Sequence, residues 1–259
     1  MKILITGASR GIGATIAKTF AQKYQEKAEI ALLDSSLKQS SCPNTSKTII
    51  DTLNLLKTYR TKSIIPIEVD VQDPNDLVVS VNKAITKMGG LDILINNTSV
   101  LYLNPTIKEM NLLYTINTQA SILTMKIARD ALTESKGSIV TISPPINLAK
   151  LDLISPHPEY TISKYSMTLA TLGNASNKIR ANCIWPRYVI STKNPKLKDS
   201  NGKFSNGRLA KDFALAVVEL AKSTKNAQTL YDDEIIELLP IQAPIDRFAH
   251  PSTKHLKKN

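Results

Sequence analysis

The chain has little of what staples or punctuates many folds. Cysteine occurs twice in 259 residues, as Cys42 in a polar loop and Cys183 in an apparent strand, which leaves no disulfide framework and no thiolate cluster for a metal. The three histidines, His157, His250 and His255, stand alone and read as solvated loop residues. No uninterrupted apolar run approaches a membrane span, so no membrane partner is expected. The first apolar stretch begins at Lys2, which leaves no room for a leader, and the end His255–Asn259 is not a peroxisomal address; the expected location is cytoplasmic. Acidic residues are the minority, 22 against 33 basic, for a net charge of +11. Such a balance suits nucleic acid or an acidic small molecule. The lysines are scattered, however, with modest clusters at 193–203 and in the tail and no interleaved aromatics, so no nucleic-acid partner is expected. A basic rim also suits a substrate carrying phosphate or carboxylate.

What is present is a soluble, globular composition, 42% hydrophobic, organised around Met1–Gly13. Lys2–Thr6 is a short apolar run bounded by glycine, the mark of a strand buried on both faces. Gly7, Gly11 and Gly13 follow, and from Ile12 the period turns helical, with Ile12, Ile16, Ala17 and Phe20 on one face. A strand, a glycine turn and a helix in this order let backbone approach a phosphate, which then sits on the N–H groups of the helix N-terminus.

The alternation continues. Strands are expected at Glu29–Leu33, Ser63–Val69, Leu91–Ile95, Ser138–Ser143, Ile179–Trp185 and Gln228–Glu237. Helices are expected over 47–60, 74–88, 112–131, 158–172 and 209–222, with Ser35–Ser46 a loop and 193–208 a polar flap. This pattern predicts one α/β domain over 1–239, a doubly wound parallel sheet with helices on both faces. A substrate-covering segment is expected at 187–208 and a basic tail at 240–259.

In such a sheet ligands bind at the carboxyl ends of the strands, so the closing residues matter most. They are the glycine turn, Asp34, Asp70, Asn96-Asn97, Ser143 and Pro186. Asp34 suits the ribose hydroxyls of a dinucleotide and opposes a 2′-phosphate, by about 4 kcal/mol for two unit charges in contact at an effective dielectric near 20. Arg10 in the turn could offset that repulsion, so NAD is the expected cofactor and NADP the alternative. Tyr160 and Lys164, four apart near a helix start, project from one face. An ammonium beside a phenol strengthens the acid, which suits proton transfer at an alcohol or carbonyl oxygen.

Taken together, Thr6–Gly13, Asp70-Val71, Asn96-Asn97, Asn117 and Tyr160–Lys164 resemble the short-chain dehydrogenase/reductase family, whose fold is of Rossmann type. The resemblance runs from residue 2 to about 192. Ile142–Leu148, Tyr160 and Trp185-Pro186 look more narrowly like its hydroxysteroid-dehydrogenase-like branch. It implies dinucleotide binding by Gly7, Ser9, Arg10, Gly11, Ile12, Gly13, Asp34, Asp70, Val71, Asn97, Thr98, Tyr160, Lys164 and Pro186. It implies Tyr160 as the acid–base, Lys164 as its partner, Asn117 as holder of a water in the proton relay, and a homodimer or homotetramer.

Three positions depart from the family pattern. The second small residue after the fifth strand, where the catalytic serine usually stands, is Pro144; Ser143 is one place early and takes the role only if the chain kinks there. Thr98-Ser99 replaces Ala-Gly after the paired asparagines, and Arg187 follows Pro186 where glycine is usual, a cation expected near the nicotinamide or the substrate entrance. The expected function is interconversion of an alcohol and a ketone on a small or medium apolar or acyl substrate. The alternative is a dinucleotide-binding sensor or scaffold without turnover.

Overall fold

A computed structural model of the chain describes residues 1–35, 48–148, 157–188, 190–191 and 208–237. Strands β1 (Lys2–Thr6), β2 (Glu29–Asp34), β3 (Ser63–Glu68), β4 (Ile93–Asn96), β5 (Ser138–Ile142), β6 (Arg180–Trp185) and β9 (Thr229–Tyr231) form a seven-stranded sheet in the order β3-β2-β1-β4-β5-β6-β9. Every pairing in it is parallel. Successive strands step outward one way from β1 and the other way from β4, so the order reverses between them. The crevice at their carboxyl ends is the place where such sheets take ligands.

Both faces are covered, which explains the nearly unbroken apolar strands. One face packs under α1 (Gly11–Tyr24), α2 (Ile49–Leu56), α7 (Ala210–Lys222) and α8 (Asp233–Ile236), around Ile3, Ile5, Phe20, Ile95 and Phe213. The other packs under α3 (Pro74–Met88) and α5 (Ser121–Ser135), around Leu4, Val81, Leu94, Met125 and Ile139, with α6 (Pro158–Gly173) continuing that layer. Local chemistry sets the helix ends. Asp73 accepts from Asn75 N at 2.8 Å, Pro74 opens α3, and Gly89 closes it at φ 67°, a left-handed turn that glycine adopts without steric cost.

Two expected elements change character. The helix expected over 112–131 is composite: α4 (Ile107–Leu112), a π-helical stretch at Leu113–Ala120, then α5. It starts early because Thr106 and Glu109 form a capping box. It widens around Asn117, a distortion often found beside functional sites. The last strand closes at Tyr231 rather than Glu237, because the Asp232 carboxylate accepts from Asp233 N and turns the chain into α8.

Nearly all of Ser35–Ser46, most of 187–208 and the tail at 240–259 lie outside the described residues. The two ends of the flap are described. Ile190–Ser191 (β7) pairs in parallel with Arg208–Leu209 (β8) as a separate two-stranded sheet. No helix among the described residues is long and apolar enough to cross a membrane.

Candidate active site

The glycine turn sits at the end of β1 with no spare volume. Gly7 and Gly11 have φ of 67° and 57°. A Cβ at Gly13 would lie 2.1 Å from the Gly7 carbonyl oxygen and 2.7 Å from Asn97 Nδ2, so helix and turn touch backbone to backbone. Asn97 Nδ2 donates to Thr6 O at 2.9 Å and Gly7 O at 3.1 Å, while Thr6 Oγ1 accepts from Asn97 N and Thr98 N, both at 3.0 Å. Asn97 thus braces β4 against the turn. Asp34 closes β2 and accepts from Ser9 N at 2.9 Å; Thr52 Oγ1 donates to Ser9 O at 3.0 Å. The turn is held from three strands at once.

These residues suit a dinucleotide phosphate. The residue before α1 is Arg10, whose side chain has no acceptor for the first-turn N–H groups, and no acidic residue stands in that turn. The positive end of the helix therefore faces a turn in which Gly7 and Gly13 leave no room for a Cβ, so that backbone lines the place where a phosphate would sit. Ile12 packs on the core beneath α1 and Val71 on the core of the other face. Asp70 Oδ1 accepts from Gln72 N at 2.9 Å, fixing the turn after β3.

On the other side of the crevice Pro158 opens α6 and sets Tyr160 and Lys164 one turn apart. Lys164 is 1% exposed; its Nζ donates to Ile142 O at 2.6 Å and lies 5.3 Å from the centroid of the Trp185 ring. Burial pulls its ammonium down to about 7, and the nearby Cys183 thiolate form opposes that shift. Burial pushes the Tyr160 phenol up to about 12. The expectation that the ammonium strengthens the phenol is therefore not met in the protein alone: desolvation governs the phenol, and the ammonium's hydrogen bond goes to the end of β5.

Asn117 is fully buried in the π-helical stretch. Its Oδ1 accepts from Val100 N at 2.8 Å, and its Nδ2 donates to Val100 O and to Ser163 Oγ, both at 3.0 Å. Ser163 Oγ in turn donates to Tyr160 O at 2.7 Å. The Asn117 side chain thus ties the loop after β4 to the helix that carries Tyr160. Ser143 corrects a second expectation. It is 0% exposed, and its Oγ accepts from Thr168 Oγ1 at 3.0 Å in the interface between β5 and α6. Thr168 Oγ1 is also 2.8 Å from Pro144 O, so the start of the Pro144-Pro145 segment is held to α6 with the serine turned inward.

Arg187 corrects a third. Its Nε and Nη2 donate to Asp233 Oδ2 and Oδ1 at 2.9 and 3.3 Å, and its guanidinium stacks 3.6 Å from the Tyr231 ring centroid. The cation is drawn to the edge of the sheet. Beside it Asp232, fully buried, accepts from Arg187 N at 2.9 Å and pairs with Arg208 Nε at 3.0 Å, and burial pushes its carboxyl up. Thr168, Arg208, Asp232 and Asp233 went unmarked in the sequence. Two arginines flanking a polar flap and two adjacent aspartates just after the last strand were the signal available.

A family profile described as short chain dehydrogenase matches residues 1–201. The chain belongs to the short chain dehydrogenase family. Hydroxysteroid dehydrogenase-like protein 2 of Bos taurus is 33% identical over 245 residues, which cover 91% of this chain and 57% of that protein. The human protein of the same name is 35% identical over 198 residues, 73% of this chain and 46% of that one. The chain thus spans about half the length of these relatives. Among solved structures, a Mycobacterium thermoresistibile short chain dehydrogenase superposes with a TM-score of 0.78 at 25% identity, covering 91% of this chain and 86% of that one.

Proposed function

We propose that the protein is an oxidoreductase that interconverts an alcohol and a ketone on a small or medium apolar or acyl substrate, using a nicotinamide dinucleotide. The observation that carries this reading is the pairing of an intact Tyr160–Lys164 turn on α6 with a glycine turn that has no room for side chains. Gly7, Ser9, Arg10, Gly11, Ile12 and Gly13 would hold the pyrophosphate, Asp34 and Asp70 the adenosine half, and Thr98, Pro186 and Lys164 the nicotinamide half. The bound dinucleotide supplies the hydride acceptor or donor. Tyr160 gives or takes the proton at the substrate oxygen, and Lys164 orients the ribose and supports the charge that develops on the phenol. Asn117 and Ser163 hold Tyr160 in place. Asp34 favours NAD, with NADP the alternative through Arg10.

Replacing Tyr160 by Phe tests the reading. Turnover should fall by about 10²–10⁴-fold, the range of a positioned acid–base group, with the affinity for NADH, followed by nicotinamide fluorescence, unchanged. An equal loss of affinity would overturn the assignment. The inward Ser143 and the Pro144 beside it favour a second reading, a dinucleotide-binding sensor without turnover. Under that reading Tyr160→Phe changes neither quantity. Copies are proposed to associate as dimers or tetramers through α5 and α6, where Ile122, Ile162 and Leu169 are exposed.

A further inference from the structure

The sole tryptophan of the chain stands where the catalytic lysine needs a neighbour. Trp185 ends β6, partly buried and packed against the core. Alternation along the strand puts it on the same side as Cys183, whose thiol lies 3.9 Å from Thr168 O of α6. Its ring is thereby presented to α6, and its centroid lies 5.3 Å from Lys164 Nζ. That is within the distance at which a ring quadrupole attracts a cation. An ammonium has three N–H groups. Among the described residues the Lys164 ammonium has one hydrogen-bond acceptor, Ile142 O at 2.6 Å.

We propose that Trp185 is the positioning residue for Lys164: the indole face and the Ile142 carbonyl form a two-part seat that holds the ammonium at the crevice. The proposal rests on the reading of Tyr160–Lys164 as the working pair. A leucine would fill much of the same space, but only an aromatic face offers the cation an attractive surface. Without the ring, the buried ammonium loses the interaction that offsets part of its dehydration, and it gives up its proton more easily.

The other groups around this seat do not supply the same support. β5 has no titratable side chain. β6 contributes Cys183, whose thiol burial pushes up and holds in the neutral form, and Arg180 at the opposite end of the strand. The π-helical stretch contributes Tyr114, and α6 itself Glu159, Tyr160 and Tyr165. On α5 the charged side chains Lys126, Arg129, Asp130 and Glu134 are exposed to solvent.

Because Trp185 is the only tryptophan, biosynthetic replacement by mono- and trifluorotryptophan changes that ring alone, weakening its negative face with little change of shape. The experiment uses protein labelled with [ε-13C]lysine, with the Lys164 resonance identified by its loss in Lys164→Arg, titrated from pH 5 to 10. The Lys164 midpoint should fall stepwise with fluorine content, by about one pH unit in all, as the loss of a buried cation–π contact implies. Trp185→Phe should fall between the native protein and Trp185→Leu. A Lys164 signal that titrates identically across the fluorinated series, or does not titrate at all, overturns the proposal. Should Trp185→Leu fail to fold, the near-isosteric fluorinated series decides alone. NADH affinity measured on the same samples separates the two readings: a flat titration in protein that binds NADH removes only the role of Trp185. A stepwise titration in protein that binds neither NADH nor NADPH removes the oxidoreductase reading and leaves the Trp185–Lys164 contact standing.

Discussion

The two sides of the crevice are built on opposite principles. The glycine-turn side, at the ends of β1, β2 and β4, is fixed by uncharged backbone contacts and by Asn97, Thr6 and Asp34, each satisfied by main-chain groups. The α6 side buries a lysine and partly buries a tyrosine, with Asn117 and Ser163 holding the helix in place. One side gains stability from its fit; the other gives up stability to keep ionisable groups in a dry place. The difference separates the residues that shape the cofactor cradle from those that would do chemistry.

Substitutions should separate the sides by the sign of their effect. The largest loss is expected from Gly13→Ala, whose Cβ would lie 2.1 Å from a backbone oxygen. Stability measured by urea unfolding should drop by about 3 kcal/mol, at the upper end of overpacking costs, and NADH binding should disappear. Next is Asn117→Ala, which strands the N–H and C=O of Val100 and removes the bond to the Ser163 hydroxyl. A loss of about 2–3 kcal/mol is expected, with turnover falling more than NADH affinity, because the tie to Tyr160 is cut. If NADH affinity falls as far as turnover, the tie serves the cradle and the comparison fails.

Lys164→Met should move stability the other way, by about 1 kcal/mol at pH 7, while turnover is lost. The sign follows from burial. With the folded midpoint near 7 and the unfolded one near 10.5, the unfolded chain holds the extra proton between those values. Wild-type stability therefore rises with pH across that window, and the advantage of the methionine variant narrows from pH 7 to 10.5. Tyr160 acts oppositely at higher pH. Its folded midpoint near 12 lies above the usual 10, so the stability due to the neutral phenol is present below 10 and lost as pH rises through 12. Thermal unfolding followed at pH 7, 9 and 10.5 in both proteins checks the lysine slope, and a further point at pH 11.5 checks the tyrosine. The smallest effect is expected from Lys62→Ala, which removes a surface pair with Glu29 from a lysine 63% exposed; a change of about 0.5 kcal/mol or less is expected.

The sheet was legible in the sequence because strands buried on both faces read as unbroken apolar runs. β1 and α3 run as expected, and Asp34 closes β2 as expected. What escaped was decided by tertiary partners. The widening at Leu113–Ala120 accompanies a bond from Asn117 to Val100, seventeen positions away, which no local pattern encodes. The inward turn of Ser143 depends on Thr168, and the capture of Arg187 on Asp233, both far along the chain. The Tyr160–Lys164 pair was visible as a spacing, yet its electrostatics follow from burial and, for the lysine, from Cys183 on a different strand.

The rims of the sheet bear on how the chain behaves when crowded. β3, at one edge, carries Pro66, a residue with no N–H to offer an incoming strand. β9, at the other, is only three residues long before α8 begins. Neither rim presents a long, regular row of donors and acceptors, which is the template on which strands of separate molecules stack into fibrils. Both ends of this sheet are thus poor templates for an incoming strand, and a change that restored the N–H at position 66 would improve one of them.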